Sequence, residues 1–368
     1  MIIYDIALTM IPEIGNIRGR RLIEVFGTAE AAMKVAAEDI AEQTQIPFSA
    51  VNKLVNNSVF PDAEAEIKFA RENGIEIIPI TSGKYPERLR ECCDAPLVLY
   101  VKGDIDFNSD WWISVVGTRK ATSYGKEITQ EIIRGIAETL PSTVIVSGLA
   151  YGTDITAHLA AMDNGLKTVA VMGNPLNMIY PAQHAEYADR IIATGGALVS
   201  EFHSKFPVQP NNFLRRNRII AGLSSGTIVV ESAYRGGSLS TANYAHGYDR
   251  DVMAVPGRIT DKMSEGTNNL IVRQKAAMVQ SSKDVFDVLN WAVEERKPNR
   301  GKELSPQLFA EPKGDQKVLY DTFGSQALSF DDLSVKTNMP VYKVSALLFE
   351  MEMDGIVRIK PGNMAEKI

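Results

Sequence analysis

Three arginines and two isoleucines crowd the short segment FLRRNRIIAG. Guanidinium groups bind phosphates through paired hydrogen bonds, and the neighbouring Phe213 could stack on a nucleobase. The same arginines could instead brace a helix whose isoleucines enter the core. No Asp or Glu occurs between positions 202 and 230, so the surroundings of the cluster, which include Lys205, are purely basic. The arginines are Arg215, Arg216 and Arg218.

The spacing of these arginines limits how many can reach one ligand. Two asparagines before Phe213 are good N-caps, so we expect a helix that begins at Phe213. At about 100° per residue, Arg215 and Arg218 lie about 60° apart, whereas Arg216 falls nearly opposite Arg218. Because the two isoleucines must meet the core, we expect one arginine to be buried against a carboxylate or backbone carbonyls. The others are expected to face the ligand.

A row of glycines follows the short β-branched runs that predict strands. In an open α/β sheet, ligands bind outside the carboxyl ends of the strands. Glycine permits close backbone approach there and leaves N–H groups for an anion. A single glycine in such a turn can serve geometry alone, but the accumulation at one edge favours a ligand surface. The row consists of Gly117, Gly148, Gly173 and Gly257, and a helix-opening segment after TIVVES adds Gly236, Gly237 and Ser238.

Arg119 stands two residues after Gly117, where the run WISVVG ends. A guanidinium at this place could make a bidentate phosphate contact, with Thr118 and Ser123 as hydroxyl donors. Alternatively, Arg119 could be a solvated turn residue that binds no ligand. The pattern therefore predicts a phosphate-binding edge that combines arginine, hydroxyl groups and glycine amides.

Familiar catalytic and cofactor motifs are missing from the sequence. The patterns G-x-G-x-x-G, G-x-x-x-x-G-K-[ST] and H-E-x-x-H do not occur. The four histidines are scattered and the two cysteines, Cys92 and Cys93, are adjacent, so neither set has metal-ligand spacing. We therefore predict no cofactor, no metal and no catalytic residue.

Composition limits the classes of partner. The 368 residues suffice for two or three domains. A formal net charge of -6 argues against a protein that coats duplex DNA through bulk charge, so a polyanion must be held by a local patch. The chain has no apolar run of membrane-spanning length, and its N-terminus lacks the features of a signal peptide. We therefore predict a cytoplasmic protein without membrane contact.

The elements around these motifs predict three regions and a linker. The first part consists of short helices, and IPEIGNIRGRRLIEVFG has the shape of a helix-hairpin-helix, which either contacts phosphate or only packs. Strands then alternate with helices, which predicts an α/β, Rossmann-like, doubly wound, mostly parallel sheet. A charged segment rich in Pro and Gly precedes three helices and a small wing. The predicted regions are a helical domain (1–72), the sheet domain (73–292), the linker (293–312) and a winged helix (313–368).

Taken in order, the motifs resemble the DNA-processing protein A family. The resemblance extends over residues 86–291 and is carried by VVGTRKATSYG, VSGLAYGTDITAHLAA, NFLRRNRIIAGLSSGTIVVES and GGSLSTA, among others. It implies an extended Rossmann core flanked by a sterile-alpha-motif-like helical domain and a winged helix. It also implies a homodimer without catalysis that binds and protects single-stranded DNA and loads the RecA recombinase onto it during natural transformation.

The resemblance assigns roles to two segments. The G-[ST]-R motif of the family falls on residues 117–119 as phosphate contacts, and its N-F-x-x-R-N-R-I-I-A motif covers residues 212–221, which adds Asn217 to the site. Some relatives carry lysines where this chain has Ala182 and Pro210. Either other cations supply part of the basic pocket, for which the candidates are Lys205, Lys120 and Arg258, or the pocket is weaker.

Two other functions stay open on the sequence. The motif P-G-G-x-G-T-x-x-E of Rossmann-type nucleotide phosphoribohydrolases partly resembles SSGTIVVES, although serines replace its glycines and Glu231 falls one residue late. The second open function is that of a regulator that acts on duplex DNA through the winged helix. The acidic segment FDDLS gives that region little charge for a duplex and is compatible with a protein-interaction module.

Overall fold

The computed structural model describes residues 1–291, 312, 314–323, 327–353, 356–360 and 362–367. The chain divides into two compact units, residues 1–293 and 294–368. The predicted linker, residues 293–312, falls outside the described residues except for position 312. Its boundaries therefore stay predictions.

Six helices open the first unit and pack directly on the sheet that follows. Leu22 is fully buried in the same apolar cluster as Leu97 and the sheet residue Trp112. A Cβ on Gly19 of the second helix would come 2.2 Å from Cδ1 of Leu97, so a larger residue there would have to displace this buried leucine. The helices are α1 (Ile2–Met10), α2 (Gly15–Phe26), α3 (Ala29–Met33), α4 (Ala37–Thr44), α5 (Phe48–Val55) and α6 (Phe60–Glu72).

A nine-stranded sheet forms the centre of this unit. Its strands are short runs rich in β-branched residues, as expected for strands with both faces covered. They are β1 (Glu76–Pro79), β2 (Val98–Gly103), β3 (Trp112–Val116), β4 (Val144–Ser147), β5 (Lys167–Val171), β6 (Ala197–Ser200), β7 (Gly226–Val229), β8 (Asp251–Ala254) and β9 (Ala277–Met278).

The strand order is β1-β2-β6-β5-β4-β3-β7-β8-β9. Strand β2 is antiparallel to both neighbours, and the pairs from β6 to β9 are parallel. From β3 the chain winds outward through β4, β5 and β6 and then returns to the other side of β3 as β7. This reversal creates a crevice at the carboxyl ends of β3 and β7. The predicted doubly wound, mostly parallel sheet is confirmed.

Helices cover both faces of the sheet. Along β3, Trp112 and Val116 enter one apolar cluster, and Ile113 and Val115 enter another on the opposite face. No helix among the described residues combines the length and apolar character needed to cross a membrane. The helices that follow β1 are α7 (Glu87–Arg90), α8 (Ser123–Thr139), α9 (Thr153–Asp163), α10 (Ala185–Ala193), α11 (Pro210–Leu223), α12 (Ser238–Gly247), α13 (Glu265–Val272) and α14 (Ser282–Leu289).

Helix α11 starts one turn earlier than expected. The prediction that it begins at Phe213 was wrong, because Pro210 occupies its first turn and Gln209 stands at the N-cap. Proline suits that position, since its missing N–H would have no partner there anyway. The side chain of Asn212 does not cap the helix but donates to the carbonyl of Pro207 at 2.9 Å.

The second unit is a winged helix, as predicted. Its apolar core contains Leu319, Leu333, Val344 and Leu348, one or two from each helix. A three-stranded antiparallel sheet with the order β10-β12-β11 completes it. The elements are α15 (Asp315–Thr322), β10 (Leu328–Ser329), α16 (Phe330–Thr337), α17 (Val341–Met353), β11 (Val357–Lys360) and β12 (Met364–Lys367).

Candidate nucleic-acid interface

A cavity of about 390 Å³ lies at the carboxyl ends of β3 and β7, where the strand order changes direction. Ligands of open α/β sheets bind at this place. Helix α11 forms one wall and the start of α12 forms another. Of the predicted site residues, the cavity brings together Gly117, Thr118, Arg119, Phe213, Arg216, Asn217, Gly236, Gly237 and Ser238.

Arg216 is a buried cation of this cavity, only 4% exposed. Its Nη1 donates to the carbonyl of Gly148 at 2.7 Å and to that of Val171. Burial lowers the pKa of Arg216 to about 10, a shift that Asp154 opposes and Arg119 reinforces. Within the described part of the chain, its Nη2 donates no hydrogen bond. This nitrogen can therefore still donate to an anion.

Asp154 lies beside Arg216 and is 7% exposed. Its Oδ2 accepts from the backbone N–H of Ala150 at 3.4 Å. Burial raises the pKa of Asp154, while the charge of Arg216 lowers it. Of the described residues that line the cavity, Asp154 supplies the one carboxylate, so the lining is positive on balance. The facing cations are Arg119, Lys120 and Arg216.

The turn after β3 carries the exposed Arg119 to the cavity. Two backbone bonds hold the preceding Thr118: its N–H donates to the carbonyl of Glu231 at 2.8 Å, and its carbonyl accepts from Thr153 at 3.2 Å. Gly152, with φ +76°, lies against this turn. A Cβ on Gly152 would come 2.3 Å from the carbonyl oxygen of Thr118 and 2.7 Å from the carbonyl carbon of Arg119. Gly152 was not predicted from the sequence, because its close approach to the turn after β3 is visible only in the folded chain.

Substitution of Gly152 by alanine is expected to displace Arg119 and weaken binding of an anionic ligand at this cavity. The new Cβ would strike backbone, which cannot move without shifting the turn. The measurement is ligand affinity alongside thermal unfolding. Gly165→Ala is the matched control, because Gly165 has φ +75° but an added Cβ would meet open space within 4 Å. Gly165→Ala should lose about 1 kcal/mol of stability to its positive φ, and Gly152→Ala should lose more because its Cβ also strikes backbone. Equal affinities in the two variants would contradict a positioning role.

Two glycines of the row make room for side chains of α11. A Cβ on Gly148 would lie 2.2 Å from Nη1 of Arg216, and one on Gly173 would lie 2.6 Å from Cδ1 of Phe213. Both distances are far below van der Waals contact. Gly148 and Gly173 thus serve a different purpose from the expected anion cradle: they let the arginine and the phenylalanine reach the strand ends.

Two of the three clustered arginines lie on the other side of α11. The Nη2 atoms of Arg218 and Arg215 donate to the same oxygen of Glu201, Oε2, at 2.5 and 2.8 Å. The expectation that one arginine is structural and the others face the ligand was therefore wrong. Two arginines bind the carboxylate of Glu201, and Arg216 alone of the three lines the cavity. The orientation of α11 about its own axis decides which arginine faces the cavity. This orientation is fixed by Ile219 and Ile220, which are completely buried.

Lys205 and Ser123 also lie apart from the cavity lining. The Nζ of Lys205 pairs with Oδ1 of Asp62 on α6 at 2.7 Å. Ser123 is exposed in the first turn of α8, and the capping role belongs to Thr122, whose Oγ1 accepts from the N–H of Gly125 at 3.1 Å. Lys120, one of the candidates to replace the missing family lysines, does line the cavity.

The start of α12 faces the cavity with backbone and hydroxyl groups. No acidic residue lies in its first turn, so the positive end of the helix dipole is not neutralised locally. The hydroxyl of Ser238 donates to that of Ser232 at 3.0 Å. Asn217 links the two walls, because its Nδ2 donates to Oγ of Ser240 at 2.8 Å. The predicted segment thus stands where an anion would meet the helix end.

Two tyrosines near the cavity were not predicted from the sequence. Tyr151 and Tyr180 follow β4 and β5 and line a cleft together with Phe213. The available signal was their position in the segments that follow β4 and β5, four and nine residues after the strand ends. The cleft therefore holds two aromatic rings besides that of Phe213.

Comparisons with known proteins agree with this architecture. Residues 76–290 match the family model described as DNA recombination-mediator protein A, and residues 303–363 match that of the DprA winged helix domain. Protein Smf of Escherichia coli is 35% identical over 330 residues, which cover 88% of this chain and 85% of the relative.

Two solved structures are also similar. The X-ray structure of DNA processing protein A from Streptococcus pneumoniae has a TM-score of 0.66 and 32% identity, and the match covers 77% of this chain and 96% of that one. A Helicobacter pylori DNA processing protein A, solved for insight into its single-stranded DNA binding mode, has a TM-score of 0.52 and 28% identity. That match covers 59% of this chain and 95% of the other.

Proposed function

The chain belongs to the DNA recombination-mediator protein A family, and from this premise we propose that it binds single-stranded DNA through the cavity at the carboxyl ends of β3 and β7. The observation that carries the proposal is Arg216, a buried guanidinium with a lowered pKa and a terminal nitrogen directed to no acceptor in the described residues. A phosphate would supply that acceptor and stabilise the charged form. The Helicobacter pylori relative, named for its single-stranded DNA binding mode, supports this ligand.

A locally positive cavity explains how a chain with a net negative charge can bind a polyanion. The whole chain has a formal net charge of -6, yet the cavity lining presents three cations and one carboxylate among its described residues. Phosphate contacts are short-ranged at physiological salt, where the Debye length is about 8 Å. The distant acidic surface therefore has little influence on a strand held here, and the contacts carry no sequence information.

Arg119→Ala is expected to weaken single-strand binding about tenfold and to flatten its dependence on salt. Each phosphate contact that is lost should reduce the slope of log affinity against log salt by about 0.7. The measurement is a titration of the full chain with a labelled oligothymidylate at several salt concentrations. Arg134→Ala, which removes an exposed arginine from α8, is the matched control. An affinity and slope equal to those of the control would refute the contact.

We further propose that the protein is a mediator and not an enzyme. In the phosphoribohydrolase alternative, Glu231 would act on the substrate. Here Oε2 of Glu231 accepts from the N–H of Thr122 at 2.9 Å and Oε1 accepts from its hydroxyl at 2.6 Å. Both oxygens thus fix the start of α8, which argues against catalysis by this carboxylate. Release of a base from nucleoside monophosphates by the purified chain would overturn this proposal.

The proposed partners beyond DNA are RecA recombinase and a second copy of the chain in the cytoplasm. For the homodimer, exposed apolar side chains are candidate contacts: Ile259 after β8 is 94% exposed, Val272 at the end of α13 is 80% exposed, and Met278 on the edge strand β9 is 52% exposed. Light scattering on the purified chain tests the dimer. RecA filament growth on strands already covered by a single-strand-binding protein, with and without the chain, tests loading. Transformation frequency after gene deletion, in a host that takes up DNA, tests the role in natural transformation.

A further inference from the structure

Leu149 has a backbone conformation that is unusual for its side chain. It follows β4 with φ +60° and is completely buried. In this left-handed region the Cβ atom crowds the following carbonyl group, so the conformation costs free energy unless the surroundings hold it. The other described residues with positive φ, apart from glycines, are polar and exposed. Strained residues cluster at functional sites, and both neighbours of Leu149 line the cavity or the cleft beside it.

A hydrogen bond from His184 holds the carbonyl of Leu149. The Nδ1 atom lies 2.8 Å from that oxygen, and because a carbonyl can only accept, Nδ1 carries the proton. His184 stands immediately before α10 and is 5% exposed. Its ring packs edge-on against Tyr151, with centroids 4.8 Å apart, and against Tyr187 of α10 at 5.7 Å. The donor is therefore held in place by packing from two segments.

The conformation of Leu149 decides where the two peptide groups beside it point. The carbonyl held by the histidine shares one peptide group with the N–H of Ala150, which donates to Oδ2 of Asp154 at 3.4 Å. The preceding peptide group presents the carbonyl of Gly148, which accepts from Nη1 of Arg216 at 2.7 Å. Because both groups meet at one Cα, a change of φ at Leu149 would turn one of them away. The buried arginine and carboxylate thus depend on the same strained residue.

We propose that His184 is a positioning residue for the phosphate contact of Arg216. By holding the peptide group after Leu149, it keeps the carbonyl of Gly148 on the guanidinium, which stays directed to the cavity that it lines. His184 itself lines neither the cavity nor the cleft beside it, so it acts without touching the ligand. The inference rests on the proposed binding of single-stranded DNA. A residue that only filled space would not need a donor at Nδ1, and the test uses this difference.

Two amide variants of the full chain differ only in where the donor stands. In His184→Asn the amide nitrogen can take the place of Nδ1, whereas in His184→Gln it lies one bond further out, near the place of Nε2. Both variants lose the ring and its packing. His184→Gln should bind an oligothymidylate about tenfold more weakly than the unaltered chain, the loss of one charge-assisted hydrogen bond, with a salt slope lower by about 0.7. His184→Asn should retain most of the affinity and the slope.

Equal affinities in the two variants, measured below the unfolding temperature of each, would overturn the positioning role and leave His184 a packing residue. The tautomer gives a second test on the unaltered chain. In nitrogen–proton correlation spectra recorded above neutral pH, where a free imidazole is uncharged, the proton of His184 should reside on Nδ1, and a proton on Nε2 would equally overturn the inference. An unaltered chain that fails to bind the oligothymidylate while the proton is on Nδ1 would instead refute the proposed function.

Discussion

Glu201→Ala is expected to lower the free energy of unfolding of the first unit by about 3 kcal/mol, the cost of leaving a buried charge without its partner. The side chains of Glu201 and Arg218 are 3% and 4% exposed. One oxygen, Oε2, accepts from Arg218 at 2.5 Å, from Arg215 at 2.8 Å and from the amide of Asn16 at 3.1 Å. Removal of the carboxylate leaves Arg218 with Asp94, whose carboxylate is 4.0 Å from Nε. It also breaks the hydrogen bond between Asn16 on α2 and Glu201, the residue after β6.

Denaturant unfolding of the full chain, followed by hydrogen exchange, measures this effect. Exchange should accelerate in both α2 and α11, because Glu201 joins them through Asn16 and the two arginines. Asp163→Ala is the matched control: it breaks an ion pair with Arg190 whose side chains are 59% and 44% exposed, and such pairs contribute about 1 kcal/mol or less. Similar losses in the two variants would show that the Glu201 network does not bear on stability.

The strands and helices could be predicted because their signals are local. The β-branched runs and the strand-helix alternation sufficed for the doubly wound sheet, and the ends of its strands indicated where Arg119 and the glycines lie. The role of each clustered arginine could not be read in the same way. Glu201 is 14 residues from Arg215 and 185 residues from Asn16 along the chain, and nothing local shows that the fold brings them together.

The predicted angles between the arginines on α11 were right, but the predicted side of the helix that faces the ligand was wrong. It placed Arg216 opposite Arg218, and the structure agrees, since Arg216 faces the strand ends while Arg218 meets Glu201. Which side faces a ligand depends on how the buried isoleucines turn α11 on the sheet, a tertiary property. The same limit applies to Gly148, since only the folded chain shows that it makes room for Arg216.

Arg216→Met is expected to weaken single-strand binding about 10- to 100-fold, the loss of one or two charge-assisted hydrogen bonds to a phosphate. The buried guanidinium adjoins Arg119, and because Arg216 itself is largely removed from water, its charge is weakly screened and strengthens a phosphate contact made beside it. Methionine fills a similar volume but leaves the carbonyls of Gly148 and Val171 without their donor. Some loss of stability should therefore accompany the loss of affinity.

Asp154→Asn separates the electrostatic effect from that destabilisation. The carboxylate of Asp154 partly neutralises Arg216 and raises its pKa, so its removal leaves a guanidinium that is still protonated at neutral pH and less compensated. The affinity for an oligothymidylate should rise in this variant and fall in Arg216→Met, with the salt slope shallower in the latter. Lower affinity in both variants, in proportion to their loss of stability, would mean that Arg216 supports the fold and does not hold the strand. A rise in affinity in Asp154→Asn together with a fall in Arg216→Met would support direct contact between the buried guanidinium and a phosphate.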